Sequence, residues 1–191
     1  MTSLHALILR ASRSLGAFLA LVLGFSLLLP LLLRIGTAFA TVTAGHLPFD
    51  LQNDLSVDEI KAQLPRYTDA SRSLYSLFAL VDMFFPLVGS LMTAAAAAFL
   101  TRRAFPDVYA QAEARRGFLA WMMPTLFDWL ENVAILSAIF TYPPGARPLW
   151  TLVIVFKTLK LASLALCQPA VLLLAASALG KTLLRRVREH G

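Results

Sequence analysis

Residues 117–142 read GFLAWMMPTLFDWLENVAILSAIFTY. A helix that crosses a bilayer takes about 20 mostly apolar residues, so this stretch is long enough to span. Yet it carries Asp128, Glu131 and Asn132 near its middle. An acid at a helix centre costs about 2.5–3.5 kcal/mol on insertion, and each Leu, Ile, Phe or Val returns only about 0.3–0.6. The ten such residues of this stretch return roughly 3–6 kcal/mol against roughly 5–7 for its two acids. Alone, the helix is marginal in lipid. It needs a bundle whose other helices bring the opposite charge.

Three further apolar blocks flank it. Residues 15–40 read LGAFLALVLGFSLLLPLLLRIGTAFA, residues 73–100 SLYSLFALVDMFFPLVGSLMTAAAAAFL and residues 149–179 LWTLVIVFKTLKLASLALCQPAVLLLAASAL. The fold expected is all-α: a polytopic membrane protein, a four-transmembrane-helix bundle forming one integral membrane domain over residues 1–191. Hydrophobic residues make up 58% of the chain and charged residues 15%, against roughly 45–50% and about 25% in a soluble domain. A soluble globule, a disordered chain and a disulfide-stapled module are all excluded, the last because Cys167 is the only cysteine. Each block holds one proline (Pro30, Pro86, Pro124 and Pro169), read as a kink within its helix.

Basic residues orient the bundle. The segments before the first block, between the second and third, and after the fourth carry ten: Arg10, Arg13, Arg102, Arg103, Arg115, Arg116, Lys181, Arg185, Arg186 and Arg188. The other two connections carry four: Lys61, Arg66, Arg72 and Arg147. The positive-inside rule then places both termini and the middle connection in the cytoplasm, as in a bacterial cytoplasmic membrane. The net charge of +6 is therefore read as a topology signal and not as a nucleic-acid footprint. Tyr75, Tyr142 and Trp150 fall near outer boundaries and Trp121 near an inner one, as an aromatic belt would. The first block ends in Ala38-Phe39-Ala40, an A-x-A pattern. Its apolar core exceeds the 7–15 residues or so of a cleaved signal, so it reads as an anchor that stays.

The outer loop, residues 41–72, is acidic, with Asp50, Asp54, Asp58, Glu59 and Asp69. Ser56 and Glu59 have capping-box spacing, which predicts a short helix from Val57 to Leu64 stopped by Pro65. Ile60 and Leu64 share its inner face. Whether the loop caps the bundle or is a solvated connector stays open. Residues 143–148, PPGARP, make a tight turn that sets the last two helices antiparallel. Ala94 to Ala98 offer a small-residue surface for close helix approach.

The candidate site is a set of polar residues inside the spans: Asp82, Asp128, Glu131, Asn132, Lys157, Lys160 and Arg34. At about 1.5 Å rise per residue, Asp82 and Lys157 lie roughly 10–14 Å below the outer boundary and Glu131 and Lys160 roughly 15–17 Å. Asp128 lies slightly past the midplane, and Arg34 is shallow enough to snorkel outward. Asp128, Glu131 and Asn132, at i, i+3 and i+4, share one face, as do Lys157 and Lys160. Three acids balance three bases. The set is read either as buried ion pairs that choose helix partners or as a polar site reached from the outer face. No nucleophile–base pair, cofactor motif or Cys- or His-based metal pattern accompanies it.

The function expected is that of a non-enzymatic integral membrane protein. Its partners would be a membrane lipid or other amphipathic ligand, or a partner membrane subunit or second copy, and no nucleic acid. A small proton- or ion-coupled transporter acting as an oligomer is the alternative. A membrane-embedded enzyme using Glu131 or Asp128 as acid/base is the second alternative.

Overall fold

The structure is a computed structural model that describes residues 3–52, 54–142 and 147–190. The chain is all-α, with no strand among the described residues. Its helices are α1 (Ser3–Arg13), α2 (Leu15–Val42), α3 (Val57–Gln63), α4 (Asp69–Asp82), α5 (Phe85–Ala104), α6 (Pro106–Ala114), α7 (Met123–Thr141) and α8 (Arg147–His190). Short 3-10 turns cover Phe49–Leu51, Leu64–Arg66 and Gly117–Met122.

Three helical stretches are long and apolar enough to cross a membrane: Leu15–Val42, Asp69–Ala104 and Pro148–Leu184. They are α2, the run of α4 and α5, and most of α8. Helix α7, expected as a fourth span, is not among them. The polar trio Asp128, Glu131 and Asn132 lowers its hydropathy, the same feature that makes its insertion marginal. The residues on its buried face include Ile135, Ala138 and Ile139 together with that trio.

The second apolar block departs from the expected single kinked helix. It breaks after Asp82, the last residue of α4, and restarts at Phe85 with Pro86 as the second residue of α5. Pro86 lacks the N–H that would return to Asp82 O, so the ladder is interrupted there, while Met83 and Phe84 between the two helices keep right-handed helical angles. Side chains of α7 take up carbonyls at the break: Trp129 Nε1 donates to Met83 O at 2.8 Å and Thr125 Oγ1 to Pro86 O at 2.8 Å. Pro124 likewise stands at the second position of α7 and not in mid-helix. Pro30 and Pro169 do lie inside α2 and α8.

Helix α5 is the central packing element, touching α1, α2, α7 and α8, and α8 lies along α7. Ala94, Ala95, Ala97 and Ala98 of α5 are all fully buried, so their missing bulk lets neighbouring backbones close in. Helix α1 is amphipathic and packs Ile8 and Leu9 against Leu91, Ala94 and Ala98. At this end Arg102 donates to Ser12 O at 3.2 Å, Arg13 pairs with Glu113 at 2.5 Å, and Lys181 donates to Ala104 O. The three basic-rich segments therefore meet at one end of the bundle.

The acidic loop of residues 41–72 packs at the opposite end. Ser56 and Glu59 form the reciprocal capping box, and α3 stops at Gln63, where Leu64–Arg66 tightens into a 3-10 turn around Pro65. Phe49, Leu55, Ile60, Leu64 and Tyr67 are all buried in one core cluster with Phe39, Tyr75, Ile135 and Trp150. The loop is thus a packed cap over the bundle and not a solvated connector. Burial pushes the Tyr67 phenol up from its ordinary value, which keeps the ring neutral where it stacks on Phe49. The turn expected at 143–148 falls largely outside the described residues.

Candidate functional site

The site begins with helical spacing. On α7, Asp128, Glu131 and Asn132 project from the buried face. On α8, Lys157 and Lys160 project toward them. Because residue numbers rise along α8 as they fall along α7 in these pairs, the two helices run antiparallel.

Lys160 is the hub. Its Nζ lies 2.5 Å from Glu131, 3.0 Å from Asp128 and 3.1 Å from Asp50. Lys157 stands 3.9 Å from Glu131, and its Nζ donates to the carbonyls of Phe49 at 2.8 Å and Asp50 at 3.1 Å. Glu131 is completely enclosed. Asn132 Nδ2 donates to Asp82 at 2.9 Å and to Asp128 at 3.2 Å, which ties the end of α4 to α7. Six of the seven residues expected from the sequence are therefore assembled in one layer. Arg34 is not: it is exposed on α2, whose inward face is formed by Leu32, Ile35, Gly36 and Phe39.

The residue that sequence reasoning missed as part of the layer is Asp50. It reads as one acid among several in a polar loop. Phe49 carries it inward: the ring packs on Tyr67 and Tyr75, and the Phe49 N–H donates to Tyr75 Oη at 3.0 Å. The side chain of Asp50 is left only 4% exposed against Lys160. The one local signal is Phe49 itself, a large apolar residue in a loop with no period to explain it.

A cavity of about 420 Å³ opens beside this layer. Asp50, Asp82, Asp128 and Lys160 form its polar end, and Phe25, Phe85, Met92, Trp121, Leu164 and Cys167 are among its apolar walls. A shallower groove lined by Phe18, Ala96, Val171 and Leu172 shares Met92, Thr93 and Gln168 with it and continues it along α2, α5 and α8. Lys157 and Glu131 stand behind the lining and not on it. Comparison with protein-family models, with curated proteins and with solved structures finds no match for the chain.

Proposed function

We propose that the protein is a non-enzymatic, multi-pass membrane protein that binds a membrane lipid with its head at Asp82, Asp128, Asp50 and Lys160. The observation that carries this reading is the shape and polarity of the cavity. One end presents carboxylates and an ammonium, and the remainder is a mostly apolar trough, with Ser90, Thr93 and Gln168 as its uncharged polar side chains, continued by the groove between α2, α5 and α8. A soluble metabolite has no use for such a trough. An amphipathic molecule does, because its chain stays among apolar side chains while its head meets partners that are costly to leave unpaired in lipid.

The same reading takes α7 as a fourth span beside α2, α4–α5 and α8, with both termini in the cytoplasm of a bacterial cell. Two observations support it. The acids that make α7 marginal are paired with lysines of α8, and the basic-rich segments gather at one end. Reporter fusions at the C-terminus and within residues 108–114 are expected to read cytoplasmic and one after Asp54 external. A cytoplasmic reading at Asp54 overturns the topology.

For the ligand, the full chain purified in mild detergent is expected to retain lipid detectable by mass spectrometry of the intact protein. Leu164→Trp, which fills the trough one helical turn from Lys160 and changes no charge, is expected to fold and to lose that lipid. Wild-type protein that carries no lipid, or a folded Leu164→Trp that carries as much, overturns the reading.

A further inference from the structure

We propose that Asp50, Asp82 and Asp128 form a binding site for a hard divalent cation, Ca²⁺ or Mg²⁺. Each offers one carboxylate oxygen, and the three oxygens lie within 4.8 Å of one another. Ca²⁺ takes oxygens at about 2.3–2.6 Å, so two ligands on opposite sides of it stand roughly 4.6–5.2 Å apart. Three oxygens no more than 4.8 Å apart lie within about 2.8 Å of a common point, so a single Ca²⁺ reaches all three with a shift of at most a few tenths of an ångström. Mg²⁺, at about 2.0–2.1 Å, needs a larger inward closure.

Charge gives an independent reason. The layer holds four carboxylates (Asp50, Asp82, Asp128 and Glu131) against two ammonium groups (Lys157 and Lys160). With all four ionised, two negative charges are in excess, in a place where uncompensated charge is costly. One divalent cation closes the balance. Asp82 adds to the pull as the last residue of α4, where the helix dipole is negative.

One polar atom also lacks a partner. Asp50 Oδ1 is paired with Lys160, but Oδ2 is enclosed and has no hydrogen-bond partner among the described residues, on a side chain only 4% exposed. Asp50 lines the cavity together with Asp82 and Asp128, and the space there admits water to complete the coordination shell. An all-carboxylate donor set selects hard cations over soft ones. Lys160 is the competing charge. Its shortest contact is to Glu131, which is off the cavity lining, so the ammonium keeps a full partner when a cation draws on the carboxylates of Asp50, Asp82 and Asp128. The ion takes the same three carboxylates that the lipid reading assigns to the head, and its binding is read apart from retained lipid.

The test uses the full chain in detergent, stripped with a chelator and titrated calorimetrically with CaCl₂ and with MgCl₂ at constant ionic strength. Saturable binding of one ion per chain is expected, with a rise in melting temperature. Asp50→Asn is expected to weaken binding about tenfold or more, since affinity follows the number of charged ligands. The exposed Asp54→Asn is expected to leave it unchanged. Trp121 lines the same cavity, so Tb³⁺ luminescence sensitised through the protein should appear, be displaced by Ca²⁺ and fall in Trp121→Phe. This locates the ion even if the Asp variants fail to fold. No saturable binding of Ca²⁺, Mg²⁺ or Tb³⁺ by folded wild-type protein up to about 10 mM, beyond the weakest Ca²⁺ modules, overturns the proposal. So does binding that a folded Asp50→Asn leaves intact, Tb³⁺ emission indifferent to Trp121→Phe, or stabilisation by acidification alone, which would make protons the missing charge.

Discussion

Lys160→Met is expected to be the most damaging single substitution in the charged layer, at about 3–5 kcal/mol, the usual cost of breaking a buried ion pair from one side. Lys160 Nζ is within 3.1 Å of three carboxylates, on Asp50, Asp128 and Glu131. Methionine matches its length and apolar stem but leaves those acids facing one another with Lys157 alone to offset them. Glu131 has no exposed surface and so cannot turn to water. The double variant Lys160→Met/Glu131→Gln is expected to lose less than the sum of its two single changes, because the second removes the charge that the first stranded. Arg34→Met is the contrast. Arg34 is exposed outside the layer, and a change within about 0.5 kcal/mol is expected. Chemical unfolding in a fixed detergent reads all four proteins. Additive losses in the double variant would show that Lys160 and Glu131 contribute independently.

Phe49→Ala is expected to cost a similar amount, about 3–5 kcal/mol for a buried phenylalanine, but to act on a different part of the molecule. The ring is 1% exposed, and it stacks on Tyr67 with centroids 5.7 Å apart and lies 5.9 Å from Tyr75. Its backbone is used as well: the carbonyl accepts from Lys157 and the N–H donates to Tyr75. Without the ring, the 3-10 turn loses its anchor, and Asp50 loses the reason to sit beside Lys160. Hydrogen exchange should then accelerate over residues 47–66 far more than in α5. Phe49→Leu keeps most of the apolar volume and is expected to restore most of the protection. Unchanged exchange in the loop of a folded Phe49→Ala would mean that the cap is held by Ile60 and Leu64 instead.

The helical class and the apolar spans could be read from the sequence because the quantities that decide them are local. A bilayer core asks each segment in turn for length and hydropathy, and 15–40, 73–100 and 149–179 answer without reference to one another. Capping is local too, since Ser56 and Glu59 satisfy each other's backbone within one turn. The shared face of Asp128, Glu131 and Asn132 follows from 3.6 residues per turn. Their insertion cost alone calls for basic partners on another helix.

Tertiary structure decided what spacing within a helix cannot. The rotation of α2 turned Arg34 outward, because Leu32, Ile35 and Phe39 are the residues that bury. Pro86 ended a helix where the apolar run promised a kink, and the break holds because Trp129 and Thr125, far along the chain, meet carbonyls at it. Asp50 joined the layer because aromatic packing of Phe49 against Tyr67 and Tyr75 outweighs the solvation that a loop acid would otherwise keep. These outcomes depend on which distant side chains touch, and no sum of per-residue costs taken along the chain contains that information.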